Sequence, residues 1–166
     1  MSEPASASLV ELGDRLLAFE LCNALYAVPI ADVVEVTELH QLASVPMVHH
    51  KVGGVVNYHG DAVPIVFGDA LLQTERPQYA EGRPLLILAR DPDDPNRYGV
   101  PVDKIVGLID GPAAHSLDAE PIAERRPHAG RMVSVLDPKR LLERATEVIS
   151  RSVANGAAEP THGESI

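Results

Sequence analysis

Tryptophan is absent from this chain of 166 residues, cysteine occurs once and phenylalanine twice. The single Cys22 excludes an internal disulfide framework and fits a reducing compartment. Set in an apolar stretch, it reads as a buried, inert thiol. The longest apolar run is about five residues, against the roughly 20 that span a bilayer. Residues 1–8 have no basic region and no apolar core, so they do not read as a secretory signal. No phosphate loop, dinucleotide fingerprint, nucleophile elbow or paired-histidine zinc helix occurs. Asp91-x-Asp93 opens like a calcium loop, but Pro95 and a missing glycine break the pattern, leaving a solvated acidic turn. His49 and His50 are adjacent and point to opposite faces of a strand, and His59 lies at a turn nine residues on. No carboxylate pair has spacing suited to acid–base work. No catalytic residue, metal or cofactor is therefore expected.

Bases are scarce. Lys plus Arg number 14 against 24 Asp plus Glu, a net charge of −10. That disfavours nucleic acid and anionic membrane as the main partner. The charge is also uneven: residues 91–124 carry eight acids and two bases, residues 125–151 seven bases and three acids. This fits either two solvated faces or one acidic and one basic docking patch. With 14 prolines, 12 glycines and 45% apolar residues, many short strands broken by turns follow more naturally than long helices.

What is present is a repeat. Tyr26-Ala-Val-Pro-Ile-Ala-Asp-Val-Val-Glu-Val36 aligns with Tyr98-Gly-Val-Pro-Val-Asp-Lys-Ile-Val-Gly-Leu108 at an offset of 72. Ala62-Val-Pro-Ile-Val-Phe-Gly-Asp-Ala-Leu-Leu72 aligns with Met132-Val-Ser-Val-Leu-Asp-Pro-Lys-Arg-Leu-Leu142 at an offset of 70, and Leu16–Leu21 has a partner in Leu85–Ala89. Three segments in one order imply two similar supersecondary units, about 16–72 and 85–142. Leu17, Phe19 and Leu21 alternate as a half-buried strand that turns at Asn23-Ala24. Pro29 suits a first helical position, with Ile30, Val33 and Val34 at helical spacing. Val52–Tyr58 and Ala62–Phe67 form a hairpin around His59-Gly60-Asp61, and Ala70–Leu72 a short helix. Asp137-Pro138 caps a helix whose one face holds Leu141, Leu142, Ala145, Val148 and Ile149. Two units of about five antiparallel strands suggest two small barrels, since closure removes edges. Residues 1–12 and 152–166 read as disordered tails around a domain at 13–151.

These residues resemble the CheW-like domains, coupling proteins of bacterial chemosensory arrays. The resemblance rests on Leu17–Ile30, on Val33-Val-Glu-Val36, on Val45-Pro46, on Gly54-Val-Val-Asn-Tyr-His-Gly60, on Val63-Pro-Ile-Val66, on Tyr98–Asp103 and on Val135–Leu142. It implies a mainly β fold of two SH3-like five-stranded barrels with short helices and a C-terminal helix. It implies a cytoplasmic, non-enzymatic scaffold that bridges chemoreceptor cytoplasmic tips to a histidine kinase regulatory domain, with other CheW-like domains as further partners and recruitment to arrays through them. The positions it nominates are Val33, Glu35 and Val36 on a first helix, Asn57, His59 and Gly60 on the hairpin, and Val102, Ile105 and Leu108 on the repeat helix. Each has a plain structural role open to it: core for Val33, Val36 and Ile105, turn geometry for Gly60, and backbone satisfaction for Asn57. Glu35 is the strongest functional candidate.

This chain also departs from the family. His59 stands where relatives carry arginine, and Val66-Phe67-Gly68 lacks the family's aspartate. Glu124-Arg-Arg-Pro-His-Ala-Gly130 aligns with an apolar strand of the first copy. Buried charge and an internal proline disfavour a central strand there. A solvent-facing loop or frayed edge is expected, with the second barrel open to being incomplete and Arg125 and Arg126 steering acidic partners. Two alternatives accompany the coupling role. One is a divergent adaptor of an accessory system, such as one for surface motility, that binds a single partner; the other is a small ligand-binding barrel or enzyme.

Overall fold

Short apolar segments rich in β-branched residues lie between turn residues along the whole chain, and ten of them form strands among the described residues. The computed structural model describes residues 15–39, 52–72, 74, 82–91 and 93–158, with backbone alone at 52, 53 and 152–158. In order these are β1 (Arg15–Leu21), β2 (Ala24–Pro29), a 3-10 turn (Ile30–Asp32), β3 (Val33–Glu38), β4 (Val52–Tyr58), β5 (Asp61–Val66) and α1 (Gly68–Leu72). Then come β6 (Pro84–Leu88), β7 (Tyr98–Pro101), β8 (Lys104–Asp110), β9 (Ile122–His128), β10 (Arg131–Leu136) and α2 (Pro138–Ala158). Val45-Pro46, His49, His50, residues 1–12 and residues 159–166 lie outside the described residues.

Three hairpins turn on two residues with positive φ: Cys22-Asn23 (52° and 64°), His59-Gly60 (50° and 89°) and Ala129-Gly130 (49° and 81°). Both central residues in this region give the turn whose twist matches paired strands. The first turn thus sits one residue earlier than Asn23-Ala24. Cys22 lies half-buried at the bend, not inside a strand.

The strands form two five-stranded sheets: sheet A in the order β8-β1-β2-β10-β9, sheet B in the order β3-β6-β7-β5-β4. These are the two barrels, but they are not the two sequence repeats. Sheet B uses strands within residues 33–101, while sheet A is built from residues 15–29 and 104–136. Each repeat gives its first hairpin to one sheet and its other three strands to the other. Nor is the pairing wholly antiparallel, because β10 runs parallel to β2 and β5 parallel to β7. The repeated Val-Pro marks the exchange. Just after Pro29 and Pro101 the chain leaves one sheet for the other. Ala89 N–H donates to Asp32 O (3.2 Å), Val102 N–H to Pro84 O (2.9 Å) and Asp103 N–H to Glu20 O (2.9 Å).

Three apolar cores result. Leu16, Ala18, Leu25, Ala27, Val133 and Val135 fill sheet A. Leu39, Val56, Val63, Ile65, Leu85 and Ile87 fill sheet B. Leu17, Phe19, Leu21, Val28, Leu86, Leu88, Val100 and Leu136 form a third core between the sheets, with Leu141 and Ala145 of α2. Strands β1 and β6 therefore bury both faces, which explains why Leu16–Phe19 and Leu85–Ala89 are unbroken apolar runs. A half-buried strand with one wet face is corrected on this point.

The two expected helices at 33–36 and 102–108 are strands. Pro29 starts only a single 3-10 turn, and the β-branched Val33, Val34, Val36 and Thr37 then favour an extended chain. β8 shifts register between Ile105 and Gly107 (φ 140°) and ends just before Gly111 (φ 136°). The segment Glu124–Gly130 is an edge, as one of the two expectations had it, but neither a loop nor frayed: β9 pairs with β10 from Arg131↔His128 to Leu136↔Ile122 and completes sheet A. It lies at the sheet edge, where a strand has only one neighbour and Pro127 is tolerated. The capped helix forms as read. Asp137 is 3% exposed; it accepts from Lys139 N–H (2.9 Å) and Ser116 N–H (2.8 Å). α2 continues to Ala158, beyond residue 152. No helix among the described residues is long and apolar enough to cross a membrane.

Candidate docking surface

The exchange of strands puts β3 and β8 at corresponding edges of the two sheets. Their side chains alternate between a barrel interior and the core between barrels. On β3, Val33 packs against the inter-barrel core and Val34 against the interior of sheet B. A bulge between Val33 and Glu35 then shifts the register, so that Val36 lies opposite Leu86, an inter-barrel residue. On β8, Ile105 packs against the same core and Leu108 lies opposite Leu17. Directly opposed residues share a face. Val36 and Leu108 thus extend the inter-barrel core to the surface, 40% and 44% exposed. Val33 and Ile105 lie half-buried beneath. Val102 is fully buried and belongs to the core, so it cannot touch a partner.

Glu35 turns the other way. It lies opposite Ile87, on the interior side of sheet B, at the open seam between edge strands β3 and β4. The Tyr58 phenol donates to its carboxylate. That bond, ahead of burial and of Glu35's charge, pushes the phenol above its ordinary value of 10.0, while Arg97 opposes the rise. His59 Nε2 stands 3.7 Å from Glu35 Oε2. The imidazole meets the Tyr58 ring edge-on at 4.4 Å, and the Arg97 guanidinium sits 5.7 Å from the same ring's centroid. This polar group bridges the seam over a cleft of about 330 Å³ that opens onto Val56, Leu85 and Ile87. Glu35 therefore has partners within the chain, and about half of its side chain still faces solvent. Tyr58 and Arg97 were not among the sequence candidates. The only hint of them is the placement of Tyr58 next to His59 at a hairpin end.

Asn57 and Gly60 have local roles. Asn57 Oδ1 accepts from Gly60 N–H at 2.8 Å, which pins the turn that presents His59. A Cβ at Gly60 would meet nothing within 4 Å, so positive φ alone calls for glycine there.

Sheet A closes its seam differently. Arg126 donates from Nη2 to Pro112 O (2.7 Å) and to Glu124 Oε1 (2.9 Å). Arg126 and Glu124 pair, and this bond is the main force holding the Glu124 carboxyl below its ordinary value. With its side chain only 21% exposed, Arg126 is a closure residue. Arg125 is exposed and makes no hydrogen bond or ion pair within the described residues. Sequence candidates thus divide into surface positions (Val36, Leu108, His59, Arg125), seam residues (Glu35, Arg126), turn residues (Asn57, Gly60) and packed ones (Val33, Ile105, Val102). Among the described residues no three His, Cys, Asp or Glu side chains gather as a metal site.

Asp103 shows what the motif after the second Val-Pro accomplishes. One carboxylate oxygen accepts from Cys22 N–H (2.8 Å) at the first hairpin turn, and the other accepts from Arg83 ahead of β6. A single side chain ties elements of both sheets to the crossover.

Comparison with known proteins agrees with this architecture. The family described as the CheW-like domain matches residues 15–146. Among solved structures, the scaffolding protein TtCheW from Thermoanaerobacter tengcongensis is similar, with a TM-score of 0.61 and 16% identity over 75% of this chain and 84% of that one. At that identity the likeness concerns the fold. No curated protein matches.

Proposed function

This chain belongs to the CheW-like domain family, and from that premise we propose that it is a non-enzymatic adaptor coupling chemoreceptor cytoplasmic tips to a histidine kinase regulatory domain. The observation that carries the reading is the apolar strip of Val36 and Leu108, each about half exposed where β3 and β8 carry the inter-barrel core to the surface. A receptor helical hairpin would cover such a strip, since a small apolar centre with a charged border is the usual anatomy of a docking site. The two hairpin ends, His59-Gly60 and Ala129-Gly130, offer matching barrel ends to the kinase domain. Acting in the cytoplasm, the protein would join an array through these contacts.

A one-partner adaptor drew its support from a broken second barrel. With β9 paired along its length, only the exchange of arginine for His59 still favours it. The coupling role is therefore preferred.

The test is a reconstituted binding assay with purified receptor-tip fragments and kinase regulatory domain. The double variant Val36→Asp, Leu108→Asp is expected to lose receptor-tip binding while its Tm and its kinase affinity are kept, because both side chains are already half exposed. Undiminished receptor binding by that variant would refute the proposal.

A further inference from the structure

Under the repeat offsets, Tyr26 and Tyr98, Leu72 and Leu142, and Met132 and Ala62 are counterparts. On sheet B this set is overlaid by α2, where Leu142, Ala145 and Ile149 share a hollow with Ala62, Pro64 and Tyr98. On sheet A the matching hollow lies over β2, β10 and β9, has a volume of about 650 Å³, and is lined by Tyr26, Leu72, Ile122, Arg125, Arg131 and Met132 among others. The helix that enters it is α1, which ends at Leu72 after five residues, where α2 runs for 21. Met132 is left 56% exposed.

We propose that this hollow receives one helix of a partner protein, laid across sheet A as α2 is laid across sheet B. The pseudo-symmetry supplies the form of the occupant, because the same surface on sheet B is one that a helix fits. The charge supplies its chemistry. In a chain of net charge −10, the described residues lining this hollow include two arginines and no acid. Arg131 shares its charge with Glu20 at 2.6 Å, while Arg125 has no ion pair within the described residues. The partner helix carries apolar side chains for Met132, Ile122 and Leu72 and an acidic residue for Arg125. The face lies at the opposite side of sheet A from β8, so the inference stands apart from the receptor strip and does not depend on it.

The test uses the full chain with methyl-labelled methionine, alanine and isoleucine and a synthetic peptide of residues 138–158 bearing Arg140→Glu, Arg144→Glu and Arg151→Glu. This peptide keeps the apolar face of α2 and reverses its charge; the unaltered peptide is the control. The acidic peptide is expected to shift the Met132 methyl resonance saturably and to bind about tenfold more tightly than the control. Arg125→Glu in the protein is expected to abolish that preference. The proposal is overturned if neither peptide moves Met132, if both bind equally, or if shifts are confined to Ala62 and Ile149, where α2 would have been displaced. It is also overturned if Met132 responds to protein concentration alone, which would place a second copy in the hollow. A Met132 shift on replacing residues 75–81 with a Gly-Ser linker, before any peptide is added, would assign the hollow to this chain and overturn it too.

Discussion

Asp32 sits in the 3-10 turn where the chain crosses from sheet A to sheet B, beside Tyr98, Pro138 and Leu141. Its backbone oxygen is used by Ala89, but its carboxylate accepts no hydrogen bond within the described residues. Burial first, and the like charge of Asp137 second, push its pKa from 3.8 up to about 6. Burial, with Asp32's charge second, likewise drives the Tyr98 phenol upward. Each unit of rise costs about 1.4 kcal/mol once the group is ionised, which sets a ceiling of about 3 kcal/mol at pH 8. Partial solvent access reduces this to about 1–2 kcal/mol. The sign follows from proton counting. Between the two pKa values the folded state holds more protons than the unfolded one, so this cost is absent below about pH 4, grows with pH and is complete above about 6. Asp32→Asn keeps the shape and removes the charge. Urea unfolding at pH 8, 6 and 4 is therefore expected to show the variant more stable than wild type by about 1–2 kcal/mol at pH 8, with the gap closing at pH 4 and m unchanged. A gain of the same size at all three pH values, or no gain at pH 8, would refute the electrostatic origin.

Gly68 opens α1 with no room above it: a Cβ would lie 2.3 Å from Leu21 Cδ2, and Leu21 is fully buried. Gly68→Ala is expected to lower stability by about 1–2 kcal/mol, overpacking outweighing the gain in helix propensity, as chemical denaturation would show. Arg126→Met removes the bonds to Pro112 and Glu124. It is expected to cost about 1–2 kcal/mol and to speed hydrogen exchange in β9 ahead of the rest of sheet A. Asp137→Ala strips the α2 cap and its anchor to Ser116. A loss of about 1–2 kcal/mol in urea unfolding is expected, with helical signal falling first in α2.

The repeat, the hairpin at His59-Gly60, the capped helix at Asp137-Pro138 and the two-barrel class were legible in the sequence, because each rests on a local pattern. Two things were not. Val33–Val36 and Ile105–Leu108 satisfy helical spacing and strand spacing alike once a bulge or glycine bend is allowed; only pairing with the distant strands β6 and β1 decides between them. At Glu124–Gly130 three charges and a proline argue against a central strand and leave a loop or a frayed edge; the segment is an edge strand, paired along its length. An edge position removes the objection: Arg125 faces solvent, and Arg126 finds Glu124 and Pro112. At the candidate surface, the exposure of Val36 and Leu108 follows from the same pairings and could not be read from residue type. Glu35 stands out in the sequence as a candidate docking carboxylate, and the structure adds contacts of its own within the chain. Its bond with Tyr58 depends on barrel closure, which has no signature along the chain.

The nesting of sheet B within sheet A has a bearing on the order in which the molecule assembles. Pairing Leu25 with Val133 closes a loop of about a hundred residues, an entropic cost of about 4 kcal/mol for a flexible chain. If sheet B forms first, the loop is no longer flexible. β3 and β7 both flank β6, so the entry at Val33 and the exit at Pro101 are held roughly 15 Å apart by two strand spacings and a short offset. Sheet A then needs to close only a short gap. Sheet B is complete once residue 101 has been synthesised, whereas sheet A waits for residue 136. Destabilising the interior of sheet B, for example by Ile65→Val, is therefore expected to slow the folding of both sheets. The same insult in β9 is expected to leave the rate of sheet B untouched and to be felt in unfolding.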